Sequence, residues 1–155
     1  MADPIVLDAS VAAKWFLKDN LESHVEQADD LLLQLLAGDV ELYAPRVICY
    51  EVCHLLNKAS RERDPSTGTF RLSKEQAVQS AREFFALPVS ILDTTEQEYI
   101  GALENSIDHR RGHADMTYIE LAVRLGCQWC TADDRVLRGV SATFPSTQVM
   151  LLSTL

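Results

Sequence analysis

Residues 4–17, PIVLDASVAAKWFL, decide how this chain folds. Ile5, Val6 and Leu7 make an apolar run too short for a helix, so PIVLD reads as a strand buried on both faces, whereas the apolar spacing of SVAAKWFL is helical. A strand passing directly into a helix opens a βα unit, and Asp8 stands at the junction. The same grammar recurs at the other end of the chain, where the apolar strand QWCT (128–131) runs into TADDRVL and a short helix. Between these poles, strands and helices are predicted to alternate along nearly the whole length.

Residues 21–37 predict a helix whose stripe carries Leu21, Val25, Ala28, Leu32 and Leu35, stopped by Gly38 as a C-terminal cap. ELYAP reads as a strand, and Pro45 suits the first turn of a following helix that runs to about Arg63, because its missing N–H is unneeded there. Residues 64–69, rich in Pro, Gly and hydroxyls, predict an exposed, mobile connector or a gate over a site. Ser73 with Gln76 and Thr95 with Glu98 are capping boxes that open helices to about Phe85 and Asp108, with the strand PVSILD between them. A helix over 113–125 stopped by Gly126, then the strands QWCT and TQVMLL, complete the pattern. Short strands apolar on both faces, alternating with helices, predict an α/β fold: a three-layer domain with a central, mainly parallel sheet of about five strands between helices.

At 155 residues the chain suits one domain, 1–155, with no solenoid-like repeat. The start MADPIVLD has neither the basic segment nor the long apolar run of a signal peptide, and residues 31–36 are too few to span a bilayer, so a cytoplasmic protein is expected. Cys49 and Cys53 at helical spacing and Cys127 and Cys130 in a CxxC pair invite a zinc reading, but their apolar neighbours favour plain buried thiols. The net charge of −9 argues against broad attraction to polyanions, so any phosphate-binding cations must be local, with Arg46, Arg110, Arg111, Arg135 and Arg138 near the acidic motifs.

Four acids stand where an apolar face or a strand end is expected. Asp8 closes an apolar run; it either caps the next helix through the amides of Ser10 or Val11, or serves as a ligand. Glu51 shares a helical stripe with Val47 and Leu55 beside Ile48 and Val52, which leaves a buried ion pair or a place in a site. Asp115 lies in the first turn of its helix, on the face of Ile119 and Ala122, where the helix dipole favours an anion. Asp133 and Asp134 follow a strand, and one of them caps the short helix; Asp133, nearer the strand end, is taken for the site, with Asp134 its rival. Thr131 and Ser10 stand ready to orient these carboxylates.

In open parallel sheets ligands gather beyond the C-terminal strand ends, where strand order reverses, and Asp8 and Asp133 both belong there. Four carboxylates within about 5 Å of one another repel by a few kcal/mol per pair, a cost that a divalent cation removes. An all-oxygen set suits Mg²⁺ or Mn²⁺ better than zinc.

Asp8 in LDASV, Glu51 in PRVICYEVCHLL, Asp115 in HADMTYIELA and Asp133 in TADDRVL follow one another as in PIN-domain nucleases, and the whole chain resembles the VapC-like toxins of bacterial toxin–antitoxin pairs. The resemblance implies a Rossmann-like PIN fold and a metal-dependent endoribonuclease that hydrolyses single-stranded or loop RNA with Mg²⁺ or Mn²⁺. It further implies a homodimer inhibited by a small antitoxin protein. On this reading Asp8, Asp115, Asp133 and Glu51 are catalytic and bind metal, and Ser10 and Thr131 support them. Two positions depart from the family pattern: His54 stands where Asn is frequent three residues after the glutamate, and Ala114 where Tyr is frequent before the helix aspartate. His54 either replaces that Asn or is a partly buried helix residue with a satisfied ring; His24, His109 and His113 read as surface.

Two other readings compete. An aspartyl phosphotransferase also places an Asp at its first strand's end, but needs a second Asp two residues on, where this chain has Ser10. A catalytically silent PIN-like binding or regulatory module keeps the fold without the chemistry.

Overall fold

The computed structural model describes residues 2–155. Five strands, β1 (Asp3–Leu7), β2 (Val40–Pro45), β3 (Ser90–Leu92), β4 (Gln128–Thr131) and β5 (Val149–Leu151), form one sheet in the order β3-β2-β1-β4-β5, and every pairing is parallel. The helices are α1 (Ala9–Lys14), α2 (Val25–Ala37), α3 (Val47–Ala59), α4 (Lys74–Ala86), α5 (Glu96–His109) and α6 (His113–Leu125), followed by a 3-10 turn at Asp134–Leu137. The expected α/β sheet between helices is therefore present, wholly rather than mainly parallel. Chain order runs outward from β1 to β3 on one side and returns to β4 and β5 on the other. Strand order thus reverses between β1 and β4, the position at which open sheets leave a crevice.

The strands pair because their apolar runs are buried on both faces. Val6 sits opposite Tyr43 on one side and Trp129 on the other, and Leu7 opposite Cys130. Val6, Leu7, Leu42, Ala44, Trp129 and Cys130 are all buried. Helix α6 packs on α5 and against β1, β2 and β4, while α1 packs against α2 and α3. Both capping boxes form: Ser73 Oγ accepts from the Gln76 N–H at 3.1 Å and Thr95 Oγ1 from the Glu98 N–H at 3.1 Å, with the reciprocal bonds at 2.8 and 3.0 Å. Gly38 and Gly126, at φ 82° and 65°, cap α2 and α6 in the left-handed region.

Tertiary contacts override local signals at four places. Helix α2 starts at Val25 rather than 21: His24 is left-handed at φ 55°, Leu21 is exposed, and its N–H is taken by the Asp19 side chain. Pro45 ends β2 instead of opening α3. Its register partner is Leu92 of β3, beyond the last β1 partner Tyr43, so its missing N–H breaks no ladder bond toward β1. Helix α3 stops at Ala59, and Arg63 beyond it bridges Phe70 in antiparallel fashion; the connector 64–69 is largely exposed, as expected, and forms a hydrogen-bonded turn in which the Gly68 N–H donates to the Asp64 carbonyl at 2.8 Å. Strand β3 is three residues long, since Pro88 and Val89 precede it and Asp93 follows it outside the ladder.

A charge network ties these irregular segments to the body. The Arg71 guanidinium, nearly buried, donates to Asp19 Oδ2 at 2.7 Å and Oδ1 at 3.0 Å, to Glu22 Oε1 at 2.9 Å and to Glu62 Oε2 at 3.3 Å, while Lys14 Nζ donates to Glu22 Oε2 at 2.8 Å. Hydrogen bonding to Arg71 outweighs burial and holds the Asp19 carboxyl below the ordinary range. Removing one partner of such a network strands the others. Arg71→Ala is expected to cost about 3 kcal/mol of unfolding free energy in urea titration, the scale of a broken buried ion pair; a change within error of zero would show the network to be mere surface pairing.

Candidate functional site

Asp8 follows β1 directly, and its backbone N–H continues the ladder by donating to the Cys130 carbonyl at 3.0 Å. That bond sets its side chain between β1 and β4, at the reversal of strand order. Oδ2 accepts from the Ser10 N–H at 3.1 Å, from the Ser10 hydroxyl and from Thr131 Oγ1 at 3.3 Å; Oδ1 accepts from Trp129 Nε1 at 3.2 Å. Asp8 is thus the N-cap of α1 and also a buried acid facing other acids. Burial lifts its carboxyl to about 7 against the lowering effect of the Ser10 bonds, and the negative charges of Glu51 and Asp115 add to the rise.

Glu51 rises from the second turn of α3 on the half-buried stripe with Val47 and Leu55. Among the described residues no arginine pairs with it; Glu51 Oε1 accepts from the Tyr118 hydroxyl at 2.7 Å. Asp115 lies in the first turn of α6, where an anion is favoured by the helix N-terminus. Its carboxyl is raised to about 6 by burial, then by the charges of Glu51 and Asp133, with Arg111 opposing. Arg111 straps this helix start to the turn after β4, since Nε donates to the Val136 carbonyl at 3.2 Å and Nη2 to the Arg138 carbonyl.

Asp133 caps the 3-10 turn. Burial pushes its carboxyl up, but bonds at 3.0 Å from Arg135 Nε and N–H to Oδ1, with the charges of Arg135 and Arg138, hold it below the ordinary value. Its own N–H donates to Thr131 Oγ1 at 3.2 Å, and the Ala132 N–H to Ser10 Oγ at 3.1 Å, so the two hydroxyls knit the ends of β1 and β4 together. The rival Asp134 is exposed and accepts from Ser153 Oγ at 2.8 Å.

The structure therefore brings Asp8, Glu51 and Asp115 within one another's fields, with Asp133 acting on Asp115 and with Ser10 and Thr131 on Asp8. The all-oxygen donor set fits a hard divalent cation, as do burial and, after it, like charge, which together lift Asp8 and Asp115 toward neutrality. With the side chains as they stand, no three carboxylate, His or Cys groups among the described residues are close enough to ligate one ion. A cleft of about 580 Å³, lined by Asp133 of the four acids, runs from Ser10 past Lys14 and Lys58, with Arg135 and Arg138 on its wall. Arg46, by contrast, is exposed and bound to Asp93, and Arg110 is the left-handed cap of α5.

Two partners escaped the sequence reading: Trp129 on Asp8 and Tyr118 on Glu51. Spacing held a signal for both, since Trp129 shares a strand face with Thr131 and Tyr118 a helix face with Asp115. His54, expected partly buried, is exposed one turn from Tyr50 and lies against its ring, centroids 6.1 Å apart. Cys53 is likewise exposed and Cys49 only half-buried, whereas Cys130 is fully buried; all four cysteines are free thiols. His109, expected on the surface, is half-buried edge-on to Phe144 at 5.2 Å.

Between pH 4 and 7 the folded state keeps a proton on Asp8 that the unfolded chain has released, so without metal this group removes stability as pH rises through that window. In chelator, urea denaturation is expected to show a loss of a few kcal/mol between pH 5 and pH 8 that shrinks in Asp8→Asn. An identical pH slope in the variant would place the burden elsewhere.

The sequence matches the PIN domain family model over residues 5–141. No curated protein matches it. Several solved structures share its fold. VapC20 of Mycobacterium tuberculosis, described as a sarcin-ricin loop cleaving toxin, is 17% identical with TM-score 0.58, over 88% of this chain and 96% of that one. VapBC2 of Rickettsia felis, bound to a DNA fragment from its promoter, is 15% identical with TM-score 0.62, over 96% and 98%. A toxin–antitoxin complex from Klebsiella pneumoniae is 12% identical with TM-score 0.58, over 96% and 97%. With its model matched over most of the chain and its parallel five-stranded sheet shared with VapC toxins, the protein belongs to the PIN domain family.

Proposed function

We propose that this chain is a Mg²⁺- or Mn²⁺-dependent endoribonuclease and the toxin of a toxin–antitoxin pair, folded as one domain over residues 1–155 and working in the cytoplasm. The observation that carries the reading is the gathering of Asp8, Glu51 and Asp115 at the strand-order reversal of a PIN fold, where burial first and like charge second raise Asp8 and Asp115 well above ordinary carboxyls. Asp8, Asp115 and Asp133 would hold the cation, with Glu51 a further ligand or the acceptor that would orient water. Such an ion, when bound, would supply a water of lowered pKa and a Lewis acid for the phosphodiester. Ser10 and Thr131 fix Asp8, and Arg135 and Arg138, on the cleft beside Asp133, are placed to receive phosphate oxygens.

The antitoxin is proposed as a small protein partner by analogy with the complexes that share the fold. A homodimer is supported by helix α5, which exposes Tyr99, Ile100, Leu103 and Ile107 together. No helix among the described residues is long and apolar enough to cross a membrane.

The second reading, a silent binding module, draws on one feature: Arg135 already occupies Asp133 Oδ1. Incubation with total RNA separates the two. Cleavage is expected with Mg²⁺ or Mn²⁺, not in chelator, and should fall at least about a hundredfold in Asp8→Asn and in Glu51→Gln, since even outer-shell partners of a metal site cost up to that factor. Metal binding without cleavage across a broad RNA panel would favour the silent module, and full activity in Asp8→Asn would refute the assignment.

A further inference from the structure

Tyr118 and Trp129 are completely buried, and their rings stack with centroids 5.7 Å apart and planes 16° from parallel. They come from different elements, α6 and β4, and each spends its one polar donor on a different acid. The Trp129 indole N–H reaches Asp8 Oδ1 at 3.2 Å and the Tyr118 hydroxyl reaches Glu51 Oε1 at 2.7 Å. An indole nitrogen can only donate, so burial of Trp129 demands an acceptor, which Asp8 supplies. The consequence runs the other way too. Asp8 follows the end of β1 and Glu51 lies on α3; their carboxylates repel, and the stacked pair pins one oxygen of each.

We infer that Tyr118 and Trp129 are positioning residues: a rigid aromatic pair beneath the site that fixes the orientation and separation of the Asp8 and Glu51 carboxylates for the cation. This rests on the metal-dependent reading above. Packing explains the stack, but packing alone does not require that both donors end on acids of the same cluster. The pinning leaves specific atoms free. Three donors crowd Asp8 Oδ2, whereas Oδ1 takes only the indole and keeps a lone pair; Glu51 Oε2 accepts no hydrogen bond among the described residues. Those two oxygens are the ones the pair presents to a cation. Partners of this kind typically alter metal affinity by about tenfold to a hundredfold.

Phe variants isolate the donors, since Trp129→Phe and Tyr118→Phe keep a buried ring. Binding of Mn²⁺ alone, measured by calorimetry, is expected to weaken by about tenfold or more in each. Thermal unfolding in chelator separates this from loss of fold. Trp129 also reports directly: the chain has two tryptophans, and Trp15, whose indole donates to the Ala28 carbonyl at 2.7 Å, is remote in the hydrogen-bond network. In Trp15→Phe, addition of Mg²⁺ should shift the Trp129 emission, and the shift should vanish when Asp8→Asn is added. Unchanged Mn²⁺ affinity in both Phe variants, with wild-type RNA cleavage, would overturn this inference alone. A wild-type chain that binds neither ion would overturn it together with the metal-dependent reading.

Discussion

A carboxylate at the end of the central strand is the constraint around which the rest is arranged. Asp8 must sit where β1 emerges, because its N–H completes the ladder to Cys130, and that position is buried. A charge so placed is costly unless hydrogen-bonded. Ser10, Thr131 and Trp129 supply the bonds, and each of them is thereby committed to one geometry. Further acids are then brought into the same region rather than a compensating arginine. Folding alone gains nothing from that choice, and burial with like charge pushes Asp8 and Asp115 toward neutrality. An arrangement that destabilises the metal-free chain is intelligible as one held for function.

The cations follow the same logic. In a chain of net charge −9 they are not spread as an attractive surface. Arg71 and Lys14 are consumed in anchoring the segments around α2, Arg111 in strapping α6 to the turn after β4, and Arg46 in pairing with Asp93. Arg135 and Arg138 remain beside the acids, and Arg135 is held on Asp133. A polyanion reaching this cleft meets cations most of which are already paired with acids, as Lys14, Lys58, Arg71 and Arg135 are, so discrimination must come from shape and individual contacts rather than from bulk attraction.

What could be read in the sequence was what is decided locally. PIVLD and QWCT announce buried strands by composition, the two capping boxes announce helix starts through bonds made within four residues, and Gly38 and Gly126 announce stops. Asp8, Glu51 and Asp115 stood out because an acid on an apolar stripe is a local anomaly. Failures came where distant atoms decide. The start of α2 depends on Asp19, which is held by Arg71 some fifty residues away in sequence, and the role of Pro45 depends on where β1 stops pairing with β2. The exposure of His54 and Cys53 follows from the face of α3 that the fold leaves uncovered, which helix periodicity alone cannot choose.

Tyr118 and Trp129 mark the deeper limit. An aromatic in a strand or helix reads as core, and both are core by burial. Their polar atoms carry the information that burial hides. A buried donor has to end on some acceptor, and in this fold α6 crosses β1 and β4 so that the nearest acceptors are the acids themselves. Core and site are therefore not separate layers here: the same two rings fill the space under the strand ends and dictate where the carboxylates point. Substitutions that conserve hydrophobicity but delete a donor would leave the core intact while loosening the site, so conservation of size at these two positions is a poor guide to conservation of chemistry.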